Sequence, residues 1–308
     1  MLIYLAKKLF YLGCSLFAIA TLTFFLMKAI PGDPFAEEQA MRKDMHEALL
    51  KHHGMDLPWF VQYQNYLTRL LKGDLGHSLK YHGKSVNQII ASGFPVSASL
   101  GIEAFMIALS GGLFLGILAA YKKGGWQDHL ALCVMLLGVS IPSFIIASGL
   151  QYLFALKFSV FPIARWGTLS HTILPALSLA ALPMAFIAKM TRASLLEVLN
   201  TDYIKTAKAK GLPARTVLLR HALPNALLPV VSYLGQLLAA ILVGSFVIEK
   251  IFSIPGLGQW LVNSVSNRDY PTIMGLTLFY SVILMVIVFL VDIAYGFLDP
   301  RIKVKNDE

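Results

Sequence analysis

Few residues in this chain have the types and spacing for chemistry. Gly83-Lys84-Ser85 has the form of the end of a phosphate-binding loop, where backbone N–H groups cradle phosphate oxygens and a lysine meets their charge. The earlier glycine that such a loop needs is Ser78 here, and no strand pattern precedes it, so the chain has no nucleotide site of its own. His46, His52, His53, His77 and His82 share one stretch, and imidazole suits nickel or copper. They are scattered, no nearby cysteine completes a set, and a solvated loop explains them equally, so no metal site is expected. Glu103 and Asp292 lie inside apolar runs, where a carboxylate is costly; each marks either a transport path or a buried hydrogen bond between helices. Cys14 and Cys133, the only cysteines, also lie in apolar runs and read as small buried hydrophobes. The chain has no His-Glu-x-x-His, no Gly-x-Ser-x-Gly and no Cys-x-x-Cys, which argues against a membrane enzyme. Energy for any transport must come from a partner or from an ion gradient.

Composition says what holds these residues. The mean hydropathy is +0.66, with 56% hydrophobic and 14% charged residues, which excludes an ordinary soluble domain. Six apolar runs are long enough to span a bilayer as helices: 9–30, 96–121, 130–156, 173–188, 226–248 and 273–298. No long period-two alternation suggests a β-barrel. The expected fold is therefore an all-α integral membrane protein with six transmembrane helices. With the N-terminus in the cytoplasm, fourteen Lys and Arg fall in inside segments and four in the two short outside loops, so both ends are expected inside. That asymmetry accounts for the net charge of +9 through topology and lipid contact, without a nucleic-acid partner. The first run continues apolar past the cleavage-like Ala18-Ile19-Ala20 and reads as an uncleaved span.

The expected divisions are the cytoplasmic N-terminus with the first span (1–30), a helical extracytoplasmic loop (31–94), a region of five further spans (95–298) and a cytoplasmic tail (299–308). In the outer loop, Asp33 and Pro34 open a polar helix ending near His53 and Gly54. Trp59, Tyr63, Tyr66, Leu67, Leu70 and Leu71 form one face of an amphipathic helix, and a short helix near 85–91 leads to Pro95. Ser140, Ser143, Gln151, Ser178, Ser232, Gln236 and Ser245 are natural lining for an aqueous path, while Gly138 and Gly244 suit close helix packing. Glu249, Pro255, Gly256 and Gly258 belong to a sharp outer bend that serves either as a turn or as a rim for a delivery partner.

A basic, helix-forming island occupies 189–225. Asp202 is expected to cap a helix through Lys210, Gly211 to supply a left-handed turn, and Pro213 to open a second helix ending near Pro224. Ala207 and Ala209 keep one face thin enough for a partner to approach. The same residues could be only a basic loop that obeys the inside-charge rule.

The run Asp202-Tyr203-Ile204-Lys205-Thr206-Ala207-Lys208-Ala209-Lys210-Gly211, with His221, Leu223 and Pro224 at the following consensus positions, resembles the ATPase-docking loop of importer-type ATP-binding-cassette permeases. Lys205-Thr206 departs from the Glu-Ala of that consensus. Pro31-Gly32-Asp33-Pro34, Gly73 through Ser78, Ser140 through Phe144, Arg192-Ala193-Ser194, Glu249 through Gly258, Arg268 through Pro271 and Asp299-Pro300-Arg301 resemble the oligopeptide and dipeptide branch, specifically its first permease subunit. The resemblance implies a peptide-importer permease in the bacterial inner membrane. It also implies a second, similar permease, two cytoplasmic ATPases that use ATP and Mg, and an extracytoplasmic binding protein. It implies no cofactor on this chain. Nickel or glutathione are alternative cargoes within the family. A lone secondary transporter or channel is the rival class, for which internal repeats and paired broken helices would be expected.

Overall fold

The computed structural model describes residues 2–30, 49, 51, 54–81, 83–242 and 244–298, and within these the side chains of all but 2–5, 292 and 294–298. The polar helix expected from Asp33 to His53, His46, His52, His53 and His82, the side chain of Asp292, and the tail 299–308 lie outside the described residues.

In chain order the helices are α1 (Leu2–Ala29), α2 (Trp59–Leu71), α3 (Val86–Tyr121), α4 (Trp126–Ser140), α5 (Ser143–Lys157), α6 (Leu169–Leu199), α7 (Asp202–Ala209), α8 (Ala214–Ala226), α9 (Leu228–Leu242), α10 (Phe246–Ile251), α11 (Leu257–Ser266) and α12 (Tyr270–Leu298). The second half of α5 and the middle of α8 are π-helical. Among the described residues no strand forms; a single bridge joins His77 to Ser85. Among the described residues four helices are long and apolar enough to cross a membrane, in α1, α3, α6 and α12. The bent pairs α4–α5 and α8–α9 raise the number to six if each pair is one crossing.

Several expected boundaries shift. The third apolar run is broken by a 110° bend after Ser140. Pro142 has no N–H and disfavours helical backbone at Ile141, which is extended at φ −92°, ψ 122°. The fifth run ends at Leu242 rather than reaching Ile248, because Gly244 turns the chain at φ +87° and Ile248 belongs to α10. The short helix before Pro95 is instead the start of α3, which continues through that proline. The fourth run, the shortest by apolarity, belongs to a 31-residue helix with Pro175 and Pro183 inside it. Cys14 and Cys133 are exposed on their helices rather than buried.

The chain divides into two compact units. One comprises Met1–Pro95 and Leu257–Phe289. Within it, Ala20 and Phe24 of α1 meet Tyr66 of α2, with Tyr63, Leu67, Leu70, Met274 and Leu278 packed around them. Phe24 stacks on Tyr66 at 5.6 Å, and Thr21 shares a 2.7 Å hydrogen bond with the Tyr63 hydroxyl. Trp59 and Leu71 do not join this face: they stay 58% and 91% exposed. The loop after α2 is fastened to the start of α12. Buried Asp269 accepts from the Ser78 hydroxyl, the Leu79 N–H at 3.0 Å and the Thr272 hydroxyl at 2.8 Å. A buried carboxylate with three donors is well compensated. Lys84 of the phosphate-loop-like triplet lies over the Trp260 ring at 5.0 Å, an ordinary cation–π contact.

The other unit comprises Val96–Gly256 and Leu290–Glu308. α6 is its spine, and glycines of neighbouring helices press against it. A Cβ at Gly112 would lie 2.7 Å from Ile187 and 2.8 Å from the Met184 carbonyl oxygen; one at Gly116 would lie 2.6 Å from the Ala188 carbonyl oxygen. Gly138 of α4 meets Ala185 and the Ala181 carbonyl in the same way. Backbone approach this close is the small-residue packing of membrane helices, where lipid supplies no hydrophobic drive between helices. Leu100, Ala104, Ala108, Leu174, Ala180, Ile187, Val230, Leu237 and Ile241 belong to its main apolar cluster.

Candidate functional site

The inner end of α6 carries the most organised exposed feature. After Leu199 the chain turns at Asn200 and Thr201 and enters α7. Thr201, in extended conformation, holds the N-cap position expected for Asp202, which lies in the first turn and pairs with Lys205 at 2.8 Å. Both side chains are largely exposed, so this pair contributes little. α7 ends where Gly211 takes φ +77°, its N–H bonded to the Lys208 carbonyl at 3.0 Å. Pro213 then leads into α8, as expected. The second helix continues past Pro224 to Ala226, because its π-helical turn ends at Ala222 and Pro224 stands near the start of the α-helical turn Leu223–Ala226.

The two helices share an apolar underside. Ile204 and Ala207 of α7 join Ala120, Leu195, Val217, Ala222 and Ala226 in one buried cluster. Ala207 is therefore not the thin outward face expected of it. It is 8% exposed and packs inward one turn from Ile204, and Ala209 alone of the two alanines is exposed. The outer surface instead presents Tyr203, Lys205, Thr206, Lys208, Lys210, Gly211, Arg215 and Arg220. A polar clasp closes the hairpin. The Asn225 amide donates to the Tyr203 hydroxyl at 2.9 Å, which reaches the His221 carbonyl at 3.5 Å. Thus Tyr203 of the first helix meets His221 and Asn225 of the second, and Leu223 is half-buried.

A second fastening was not foreseen. Arg192 of α6 donates from Nε and Nη2 to the two carboxylate oxygens of Asp128 at 2.8 and 2.9 Å. The N–H of Gly124, at φ +77°, adds a third bond to Asp128 at 2.9 Å. The Asp128 side chain is 3% exposed and that of Arg192 23%. This bidentate geometry fixes both the distance and the orientation of α4 against α6. The sequence holds a faint signal for it: an acid in the first turn of a span facing a basic residue beyond the end of the next.

The outer bend and the suggested path fare differently. Glu249 is not a rim residue. It is fully buried, and its Oε1 accepts from the Ser97 hydroxyl at 2.8 Å. Gly256 is required there by space rather than by φ, because a Cβ would fall 2.5 Å from the Glu249 carboxyl carbon and from Ser97 Oγ. Pro255 is exposed, and Gly258 lies buried in α11, in the other unit. Ser232 and Gln236 share one exposed face of α9, and Ser140 is exposed beside half-buried Ser143 at the break of α4 and α5. Gln151 donates to the Ile163 carbonyl at 2.7 Å and so braces a loop. Ser178 bonds back to the Leu174 carbonyl, and Ser245 caps α10. Glu103 is partly buried. Among the described residues no group of three or more His, Cys, Asp or Glu is placed to hold a metal.

The sequence and the fold match known proteins. The profile of a family described as binding-protein-dependent transport system inner membrane component matches residues 112–304, and that of its N-terminal part matches residues 1–101. The dipeptide transport system permease protein DppB of Bacillus subtilis (strain 168) is 49% identical over 300 residues, which cover 97% of each chain. The oligopeptide transport system permease protein OppB of Escherichia coli (strain K12) is 40% identical over 291 residues, 94% of this chain and 95% of that one. Among solved structures, the MetNI methionine ABC transporter in an inward-facing conformation matches 68% of this chain and 96% of its own, at TM-score 0.56 and 18% identity. An amino acid ABC transporter crystallised with histidines matches 67% of this chain and 92% of its own, at TM-score 0.53 and 17% identity. The two structures share the fold alone.

Proposed function

The chain belongs to the family of inner-membrane components of binding-protein-dependent transport systems, and from that premise we propose that it is the permease subunit of an ATP-driven peptide importer. It is a multi-pass membrane protein that works with partner proteins. Peptide as cargo is supported by the 49% and 40% identity to dipeptide and oligopeptide permeases. We assign residues 189–225 as the loop that docks a cytoplasmic ATPase, on a chain whose termini both face the cytoplasm. A second, similar permease would complete the path, two ATPases would supply ATP and Mg chemistry, and an extracytoplasmic binding protein would deliver cargo. ATP-driven closure of the ATPases would push on α7 and α8 and switch access across the membrane. The faces carrying Ser232 with Gln236 and Ser140 with Ser143 are the proposed lining. The division into 1–30, 31–94, 95–298 and 299–308 follows the same reading.

One observation carries the docking assignment: a hairpin with an apolar underside, a polar clasp and a basic outer surface, turned by Gly211. No atom lies within 4 Å of the place a Gly211 Cβ would take, so a substitution there meets only backbone strain. That strain is about 1–2 kcal/mol for an ordinary L-residue and less for Asn, which visits the left-handed region more readily. In reconstituted vesicles with all partners, Gly211→Asn should keep ATPase association and uptake, while Gly211→Val should lose much of both with normal insertion. Full association and uptake in Gly211→Val would reduce this segment to a solvated basic connector.

A further inference from the structure

Where α1 ends, α1, α2 and the start of α12 enclose a cavity of about 110 Å³. It is lined by polar groups the transport reading leaves unused: Lys28, Asn65, Tyr66, Arg69 and Asp74. Lys28 lies in the last turn of α1 and Arg69 in the last turn of α2. Neither has an ion-pair partner among the described residues; Lys28 only lies over the Phe24 ring at 6.0 Å. Asp74 is held locally, its Oδ1 accepting from the Gly76 N–H at 2.9 Å. Tyr66 is nine-tenths buried, and its hydroxyl, sealed from the cavity, is not a group that a ligand there can reach. Two cations on one cavity, with no anion paired to them among the described residues, argue for an anionic ligand oxygen.

The surroundings favour a lipid as the source of that oxygen. Trp59, Phe60, Leu71, Phe25 and Leu26 of α1 and α2 are 58, 69, 91, 46 and 61% exposed. Large exposed apolar side chains beside cations mark a helix lying in the membrane interface, with acyl chains beyond it. A cavity of this size accepts a phosphate group. We propose that it holds the phosphate of an anionic phospholipid from the leaflet where α1 ends, gripped by Lys28 and Arg69. The lipid would thereby tie α2 to α1 during transport.

The test uses the assembled importer in nanodiscs of phosphatidylglycerol or phosphatidylcholine with the same acyl chains, followed by native mass spectrometry of retained lipid. Wild type should retain phosphatidylglycerol in preference to phosphatidylcholine. Removing both charges (Lys28→Gln with Arg69→Gln) should reduce that retention roughly tenfold to thirtyfold, the worth of two cations at an anionic surface. Lys28→Arg with Arg69→Lys should preserve it. If the neutralised pair does not assemble, wild-type selectivity and the single variant Arg69→Gln decide. Equal retention of both lipids, or no loss on removing the charges, overturns the proposal. Displacement of the lipid by millimolar inorganic phosphate would overturn the lipid assignment in favour of a free anion.

Discussion

At the scale of single residues, three carboxylates show how burial assigns meaning that composition cannot. Asp269 collects three donors and Asp128 collects a guanidinium plus one N–H, while Glu249 holds the Ser97 hydroxyl. None is exposed enough to greet a partner. Their sequence neighbours made Glu249 look like a rim residue and left Asp128 unremarked, since a charged residue at the end of an apolar run reads as a membrane boundary. Replacing one member of a buried pair strands the other. Asp128→Asn should therefore destabilise the protein on the order of 3 kcal/mol, seen as a lowered midpoint of thermal unfolding in detergent. Asp128→Leu combined with Arg192→Met should recover much of that loss, because the pair's own net worth is small. An unchanged midpoint in Asp128→Asn would remove the pair from the structural account.

At the scale of elements, the apolar runs located the membrane helices but not their ends. Apolarity does not register a turn made of apolar residues, so the break at Ile141 and Pro142 and the stop at Gly244 passed unseen. Lys189 and Arg192 had the opposite effect: they cut short a helix that in fact continues to Leu199, because Arg192 is neutralised by Asp128 on another helix. The hairpin of α7 and α8 was legible down to its glycine, since Gly211 and Pro213 act locally. The direction of Ala207 was not, because it depends on Leu195 and Ala226, distant in sequence. The glycine contacts on α6 give a sharper test of helix packing. Gly116→Val places a side chain within 2.6 Å of backbone, which cannot yield as a flexible side chain can. It should abolish a folded, extractable protein, whereas Gly149→Val, with nothing within 4 Å, should be tolerated. Fluorescence-detected size exclusion distinguishes the two, and a normal profile for Gly116→Val would contradict the close packing.

At the scale of the whole molecule, the reading rests on orientation. Fourteen cations in the proposed inside segments against four in the short outside loops predict a direction for every loop. A cysteine placed at Ala214 should react with membrane-impermeant maleimide only after permeabilisation, and one at Ser266 should react in intact cells. The reverse pattern would invert the topology and remove the ATPases from reach of α7 and α8. The same experiment bears on the bent pairs, since a re-entrant α4–α5 would place both its ends on one side.

The length of α6 has a mechanical consequence. Its 31 residues make a rod of about 46 Å, and the glycines of α3 and α4 bear on it near Met184 to Ala188. Taking Ile187 as the fulcrum, about 18 Å lies toward Leu199 and about 27 Å toward Leu169. A helix pivoting there would act as a lever with unequal arms, the long one carrying Pro175 and Pro183, where hydrogen bonds of the helix are missing. A sideways push of about 2 Å on its short arm emerges as about 3 Å of opposite movement on the long one. The glycines seat the Ala185, Ile187 and Thr191 side chains at close range, which holds the fulcrum in place, and the Asp128–Arg192 pair adds a second fixed point on the short arm.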